Sequence, residues 1–197
     1  MSAGELRILR QKGGGMGAAG RVRMADVSGK VATFREAVAE GWVFLSGVAW
    51  GMIRDGRMAK GDVPAVARVA GILAAKDTPR LLPLCHPVPL ASVGVEVTLP
   101  RRGALRVEAT VRTVAPTGVE MEALAAVAAA ALCVYDMAKP VDRGIRIEGI
   151  RLLRKTGGKS GDYLARPLRA SRRSVPASRT TSSRSAGERV RGPKRSR

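Results

Sequence analysis

The chain carries one histidine, two cysteines and eight lysines among 197 residues, against 27 arginines. That imbalance points to the lysines. Arginine keeps its charge under ordinary conditions, whereas a lysine gives up its proton when its surroundings lower the pKa. Six lysines fall between residues 21 and 163: Lys30, Lys60, Lys76, Lys139, Lys155 and Lys159. Lys60, Lys155 and Lys159 lie in loop-like sequence, and Lys139 closes a helical run. Amines in such places suit proton transfer or the binding of anions. Asp136 stands three residues before Lys139, near the negative end of that helix, where a carboxylate is disfavoured and a lysine one turn on offsets it. The pair reads either as a surface ion pair or as an acid/base pair at a cleft.

His86 follows Cys85 in Leu84-Cys85-His86-Pro87, amid Pro79, Pro83, Pro87 and Pro89. Prolines stiffen this stretch into a loop. An imidazole titrates near pH ~6.5 and can move protons there, although a lone histidine also serves structure. Cys85 is either a reactive thiol or a small apolar filler. The run KTGGKSGD, 155–162, invites a nucleotide-loop reading that fails on spacing. A Walker A loop needs glycine five residues before its last glycine, and counting back from Gly158 gives Leu153. What remains is a Gly-rich loop with two amines and backbone N–H groups, suited to cradling phosphate.

The elements that must position these groups follow from periodicity and punctuation. The longest helix signal is 117–139, with Thr117 and Glu120 spaced as a capping box, an alanine-rich middle and Pro140 as the stop. On it Glu122 and Asp136 lie within roughly 40° around the axis. They are also about 21 Å apart along it. One small ligand reaches both only if a second copy of the helix packs antiparallel, as a two-fold axis would arrange. Residues 35–45 hold a first strand. Ser46 caps a short helix through Ile53, closed by Asp55-Gly56. Asp62 caps a second helix, with Pro64 in its first turn, to about Lys76. Strands follow at 93–99 and 104–114, with Pro100 to Gly103 as their turn, and a last strand at 144–154. This order fits an α+β fold of ferredoxin-like type: an antiparallel sheet with helices packed on one face and an extra helix after the first strand.

Length allows one domain, at 21–163, with tails at 1–20 and 164–197 expected to be disordered. The formal charge is +19. Eleven basic residues and one acidic residue in 164–197 give that segment +10, and 21 basic against 14 acidic leave +7 between 21 and 163. The folded part is therefore basic enough to favour an anionic ligand. The tail reads as a solvated chain, with electrostatic contact to nucleic acid as the alternative. Two cysteines give neither a disulfide framework nor a zinc pattern. No apolar run is long enough to span a membrane, and no signal-peptide core is evident, so the expected place is the cytoplasm.

Seven stretches in order resemble the MoaC family of cyclic pyranopterin monophosphate synthases, in molybdenum cofactor biosynthesis. They are MADVSGK (24–30), KGDV (60–63), ARVAGILAAK, LLPLCHP (81–87), TGVEMEAL (117–124), YDMAK (135–139) and KTGGKSGD. The resemblance covers about 21–163. It implies a lyase that converts 3′,8-cyclo-7,8-dihydro-GTP into cyclic pyranopterin monophosphate and releases pyrophosphate. It also implies a ferredoxin-like fold and a homohexamer, a trimer of dimers, with sites between subunits. By motif, Asp136 matches the family's active-site acid, which reverses the surface-pair reading. Lys60 and Lys139 match proposed acid/base lysines, and His86 joins them as a candidate. Leu84, Cys85, His86, Met121 and Glu122 match substrate-contacting positions. Glu120, Lys155 and Lys159 match further pocket positions, and Asp26 and Lys30 lie in a motif of less defined role. No metal site and no required cofactor are implied, with Mg²⁺ admitted as a companion of the substrate phosphates. Two departures stand out: Met58 and Ala59 where some members carry histidines, and Ala138 where many carry cysteine. The competing classes are an RNA-binding ferredoxin-like module and an inactive partner-binding relative. Strands 93–114 and 144–154 lack the aromatic residues on which such a module stacks bases.

Overall fold

The structure, a computed structural model, describes residues 22–159 and 161–166. The expected tails at 1–20 and beyond 166 lie outside the described residues. Eight elements follow in order: β1 (Thr33–Phe44), α1 (Gly47–Arg54), α2 (Val63–Leu81), β2 (Leu90–Arg101), β3 (Ala104–Ala115), α3 (Glu120–Ala138), β4 (Arg146–Thr156) and β5 (Tyr163–Leu164). The strands form one antiparallel sheet in the order β2-β3-β1-β4-β5. Its first four strands have the split β-α-β arrangement that the sequence leads one to expect.

Alternation along β1 and β3 separates the two faces. Ala37, Ala39 and Val43 on β1, with Leu105, Val107, Ala109 and Val111 on β3, are buried in the core cluster beneath the helices. The α2 helix packs on β2, and α3 packs on β1, β3 and β4 and against α2. Two glycines set how close these layers come. A Cβ at Gly41 would lie 2.7 Å from Val127 of α3, and one at Gly71 would lie 2.9 Å from the Ala126 carbonyl. On the open face, Glu36 and Glu40 are buried between arginines: Arg112 and Arg154 hold Glu36, and Arg106 and Arg151 hold Glu40 at 2.9 and 2.8 Å.

The expected caps are present at two helices. Ser46 accepts from Ala49 N–H at 3.2 Å and Asp62 accepts from Ala65 N–H at 3.0 Å. The third helix departs from expectation. It starts at Glu120, its N-cap is Val119, and no side chain among the described residues caps it. Glu120 does not reach back to a cap because its carboxylate lies 3.3 Å from Lys155 Nζ. The second helix runs on to Leu81, past the expected end at Lys76, with Pro79 inside it. A proline costs the carbonyl four residues back its donor. Here only the last turn is affected: Thr78 Oγ1 donates to the Ala74 carbonyl at 3.0 Å, and Leu82 N–H closes onto Thr78 at 2.9 Å.

The hairpin turn is shorter than Pro100 to Gly103. Arg101 pairs with Ala104, so Arg102 and Gly103 alone turn the chain, with Gly103 at φ 76°. Pro100 stays in β2 because that strand is at the sheet edge and its register shifts there. Tyr163 and Leu164, expected at the domain's end and in the tail, instead add a short strand beside β4. Finally, α3 is long and apolar enough by composition to cross a bilayer, contrary to the sequence reading. Its stripe of Ala123, Ala126, Val127, Ala130, Ala131 and Val134 is buried in the core of its own domain.

Candidate active site

The C-terminal end of α3 gathers three of the singled-out residues. Lys60, in the loop before α2, reaches Asp136 Oδ2 at 2.6 Å and donates to the Asp136 carbonyl at 3.1 Å. Lys139, the helix C-cap, meets Asp136 Oδ1 at 2.7 Å. Each carboxylate oxygen thus takes one ammonium. Hydrogen bonds from Lys139 first, then Lys60, pull the Asp136 pKa down to about 2. The same contact raises that of Lys139. All three side chains are about half exposed, so this is a charged tripod facing outward. It can donate protons, hold a dianion or, once a ligand breaks the tripod, leave an amine beside a carboxylate.

The N-terminal end of α3 gathers the rest. Glu122 is 1 % exposed; its Oε1 accepts from Cys85 Sγ at 3.6 Å, and its Oε2 has no partner among the described residues. Burial raises the Glu122 pKa. Burial, then the adjacent Glu122, pushes the Cys85 thiol up to about 11. A thiol so protonated is a poor nucleophile, which favours the filler reading. Leu84, Cys85, His86 and Met121 line a cavity of about 620 Å³. It shares Thr117, Gly118 and Glu120 with a neighbouring cleft of about 750 Å³, to which Lys30, Lys155 and Lys159 belong. Asp26 is folded onto Ser28 and lies within electrostatic reach of His86 and Lys30. Its segment therefore stands beside the His86 loop.

Within one chain the two ends do not meet. The α3 helix is continuous over its 19 residues, so Glu122 and Asp136 remain about 21 Å apart. The sequence model of the MoaC family matches residues 24–158. The chain belongs to the MoaC family. It is 57% identical over 145 residues to a cyclic pyranopterin monophosphate synthase from Thermomicrobium roseum, covering 73% of this chain and 87% of that one. A protein of the same name from Chloroflexus aggregans is 55% identical over 147 residues, with 74% and 89% covered. One from Nostoc sp. is 54% identical over 145 residues, with 73% and 86% covered.

Packing accounts for two of the departures from the MoaC pattern and not for Ala59, which is exposed. Met58 is buried in the core, so an apolar side chain fits there, and Ala138 is fully buried. No group of three or more His, Cys, Asp or Glu able to hold a metal occurs among the described residues. Arg35, absent from the sequence-derived candidates, also lines the 750 Å³ cleft, from β1. Nothing in its strand-like context marks it. Aromatic residues do occur on β1, where Trp42 and Phe44 stack at 6.5 Å on the open face and Arg146 lies over Phe44. The middle of that face is nevertheless held by Glu36 and Glu40 with their arginines, a poor platform for bases.

Proposed function

We propose that this MoaC-family chain is a cyclic pyranopterin monophosphate synthase. It converts 3′,8-cyclo-7,8-dihydro-GTP to cyclic pyranopterin monophosphate with loss of pyrophosphate, in molybdenum cofactor biosynthesis. The observation that carries this reading is the Lys60–Asp136–Lys139 tripod, built from two separated family motifs that meet at hydrogen-bond distance. Rearranging a purine ring and closing a cyclic phosphate demands several proton transfers, each served by a positioned acid or base. Asp136 orients the two amines. Lys60 and Lys139 deliver and recover protons, and His86 lines the neighbouring cavity as a further proton carrier. Leu84, Cys85 and Met121 hold the ring system, with the buried Glu122 behind them bonded to Cys85, while Glu120, Lys155 and Lys159 address its charged end. No resident cofactor is needed; Mg²⁺ enters, if at all, with the substrate phosphates.

The site is completed by a second copy, in a homohexamer built as a trimer of dimers. Two observations support this. The tripod and the buried carboxylate sit at opposite ends of one rigid helix. The outward faces of α2 and α3 also leave Val66, Val69, Leu73 and Leu132 exposed, an apolar surface that a partner would cover. Both cysteines are free thiols, which suits a reducing cytoplasm. The test is pyrophosphate release from the cyclised nucleotide. Lys60→Ala and Lys139→Ala should each lose most of it, and full turnover in both would overturn the assigned roles. A monomer in sedimentation that is fully active would overturn the shared site.

A further inference from the structure

We infer that Asp142, in the turn after α3, is a positioning residue for the Lys60–Asp136–Lys139 tripod. This rests on the activity proposed above and adds to it what keeps the two halves of the tripod in register. The halves come from different parts of the chain. Asp136 and Lys139 belong to the end of α3, whereas Lys60 lies in the loop between α1 and α2, 76 residues before Asp136. The contacts between them are exposed. Exposed ion pairs hold little, so the spacing of the halves must be set elsewhere.

Asp142 is where the halves are tied. Its backbone N–H donates to the Ala138 carbonyl at 3.0 Å, which closes the last turn of α3 beside Lys139. Its side chain crosses to the other half: Oδ2 accepts from the Ser46 N–H at 2.6 Å. Ser46 is the N-cap of α1, and its own hydroxyl accepts from Ala49 N–H. Oδ1 of Asp142 accepts from Gly144 N–H at 2.8 Å, so the carboxylate is held at both oxygens. The Ser46 bond first, then that of Gly144, holds the carboxyl below its ordinary pKa. The group is therefore ionised at neutral pH, and a charged acceptor makes the stronger bond. From Ser46 the path to Lys60 is short and stiff. The eight residues of α1 are seated in the core through Ala49 and Ile53. Arg57 N–H then returns to the Met52 carbonyl at 2.8 Å, Met58 is buried, and Gly61 N–H bonds to the Met58 carbonyl at 3.0 Å. Lys60 lies within that closed turn. A displacement of α1 therefore moves Lys60 relative to Asp136, and Asp142 joins α1 to the end of α3. Its hydrogen bonds go to Ser46 and Gly144 rather than to the tripod, so it acts through α1.

The test is Asp142→Ala in the full chain, with Asp142→Asn as the conservative variant that keeps one acceptor oxygen. Circular dichroism verifies the fold; if Asp142→Ala does not fold, Asp142→Asn decides alone. Two quantities are read. One is steady-state turnover of the cyclised nucleotide. The other is the rate at which an amine-acylating reagent labels Lys60, measured by mass spectrometry against Lys76 in the same sample. Lys76 is exposed on α2 and reports general reactivity. Asp142→Ala should lower kcat by about 10- to 100-fold, the loss that a misplacement of ~1 Å causes, with a smaller change in KM. Lys60, no longer held between two oxygens of Asp136, should label several-fold faster relative to Lys76. Asp142→Asn should fall between Asp142→Ala and the parent in both readings. A purely structural role would lower stability and leave the labelling ratio as in the parent. A folded variant with the parent's ratio therefore overturns the inference, and so does one whose ratio rises while kcat holds. The two readings are scored separately. A parent without turnover sinks the proposed activity, and the labelling ratio then decides alone whether Asp142 positions Lys60.

Discussion

At the C-terminal end of α3 a carboxylate stands half exposed between two ammonium groups. At the N-terminal end, fourteen residues back, another carboxylate is buried, with one oxygen unpartnered among the described residues. The first is kept ionised by neighbours, and the second is pushed toward its neutral form by burial. One scaffold thus holds two acids with opposite protonation tendencies, set by charged neighbours at one end and by burial at the other. The difference also separates function from stability. An exposed ion pair adds little to folding, so the tripod is free to serve chemistry, whereas the buried acid is bound up with the core.

The sharpest break in that contrast is Asp136→Asn. It removes the charge that orients both lysines, and turnover should fall by about 10²-fold or more while thermal unfolding barely moves. An equal loss of both would make the tripod a structural feature. Next comes Leu132→Asp, on the outward face of α3, 62% exposed. The single chain should stay folded by circular dichroism, but sedimentation should reveal dissociation, with activity lost alongside. A smaller effect is expected at the buried end. Glu122 has a raised pKa in the folded state, so between its unfolded value and that raised value the folded chain binds more protons. Stability from this group is therefore present at acidic pH and falls as pH rises through that window. Glu122→Gln should flatten this part of the stability–pH curve. Asp136, lowered to about 2, has the opposite sign: its contribution holds above the ordinary carboxylate pKa and goes as pH falls toward 2. Least visible of all, Cys85 should react with a thiol reagent at neutral pH far more slowly than a free cysteine, since its pKa lies near 11.

Much of this was readable in advance. The caps at Ser46 and Asp62, the alternation of β3 and the order of elements follow from local chemistry, and the structure bears them out. The approach of Lys60 to Asp136, across 76 residues, could be anticipated only by family resemblance, because no local pattern encodes it. The misses share a cause in tertiary contact. Glu120 leaves its expected capping role for Lys155 on a neighbouring strand. Pro79 remains helical because Thr78 and Leu82 hold the turn around it. Arg35 looks like any strand arginine until the Gly157–Gly158 loop is seen to fold onto it.

Gly41 has a consequence for the whole of α3. The helix rests on the sheet where β1 lacks a side chain, with Val127 in the space a Cβ would take. Val127 lies near the middle of the helix, between the tripod and the buried acid. A rigid rod seated at its middle works as a lever: lifting the seat by one methyl group displaces both tips together. Gly41 thus acts as a fulcrum, and the alignment of two distant chemical groups depends on a residue that touches neither.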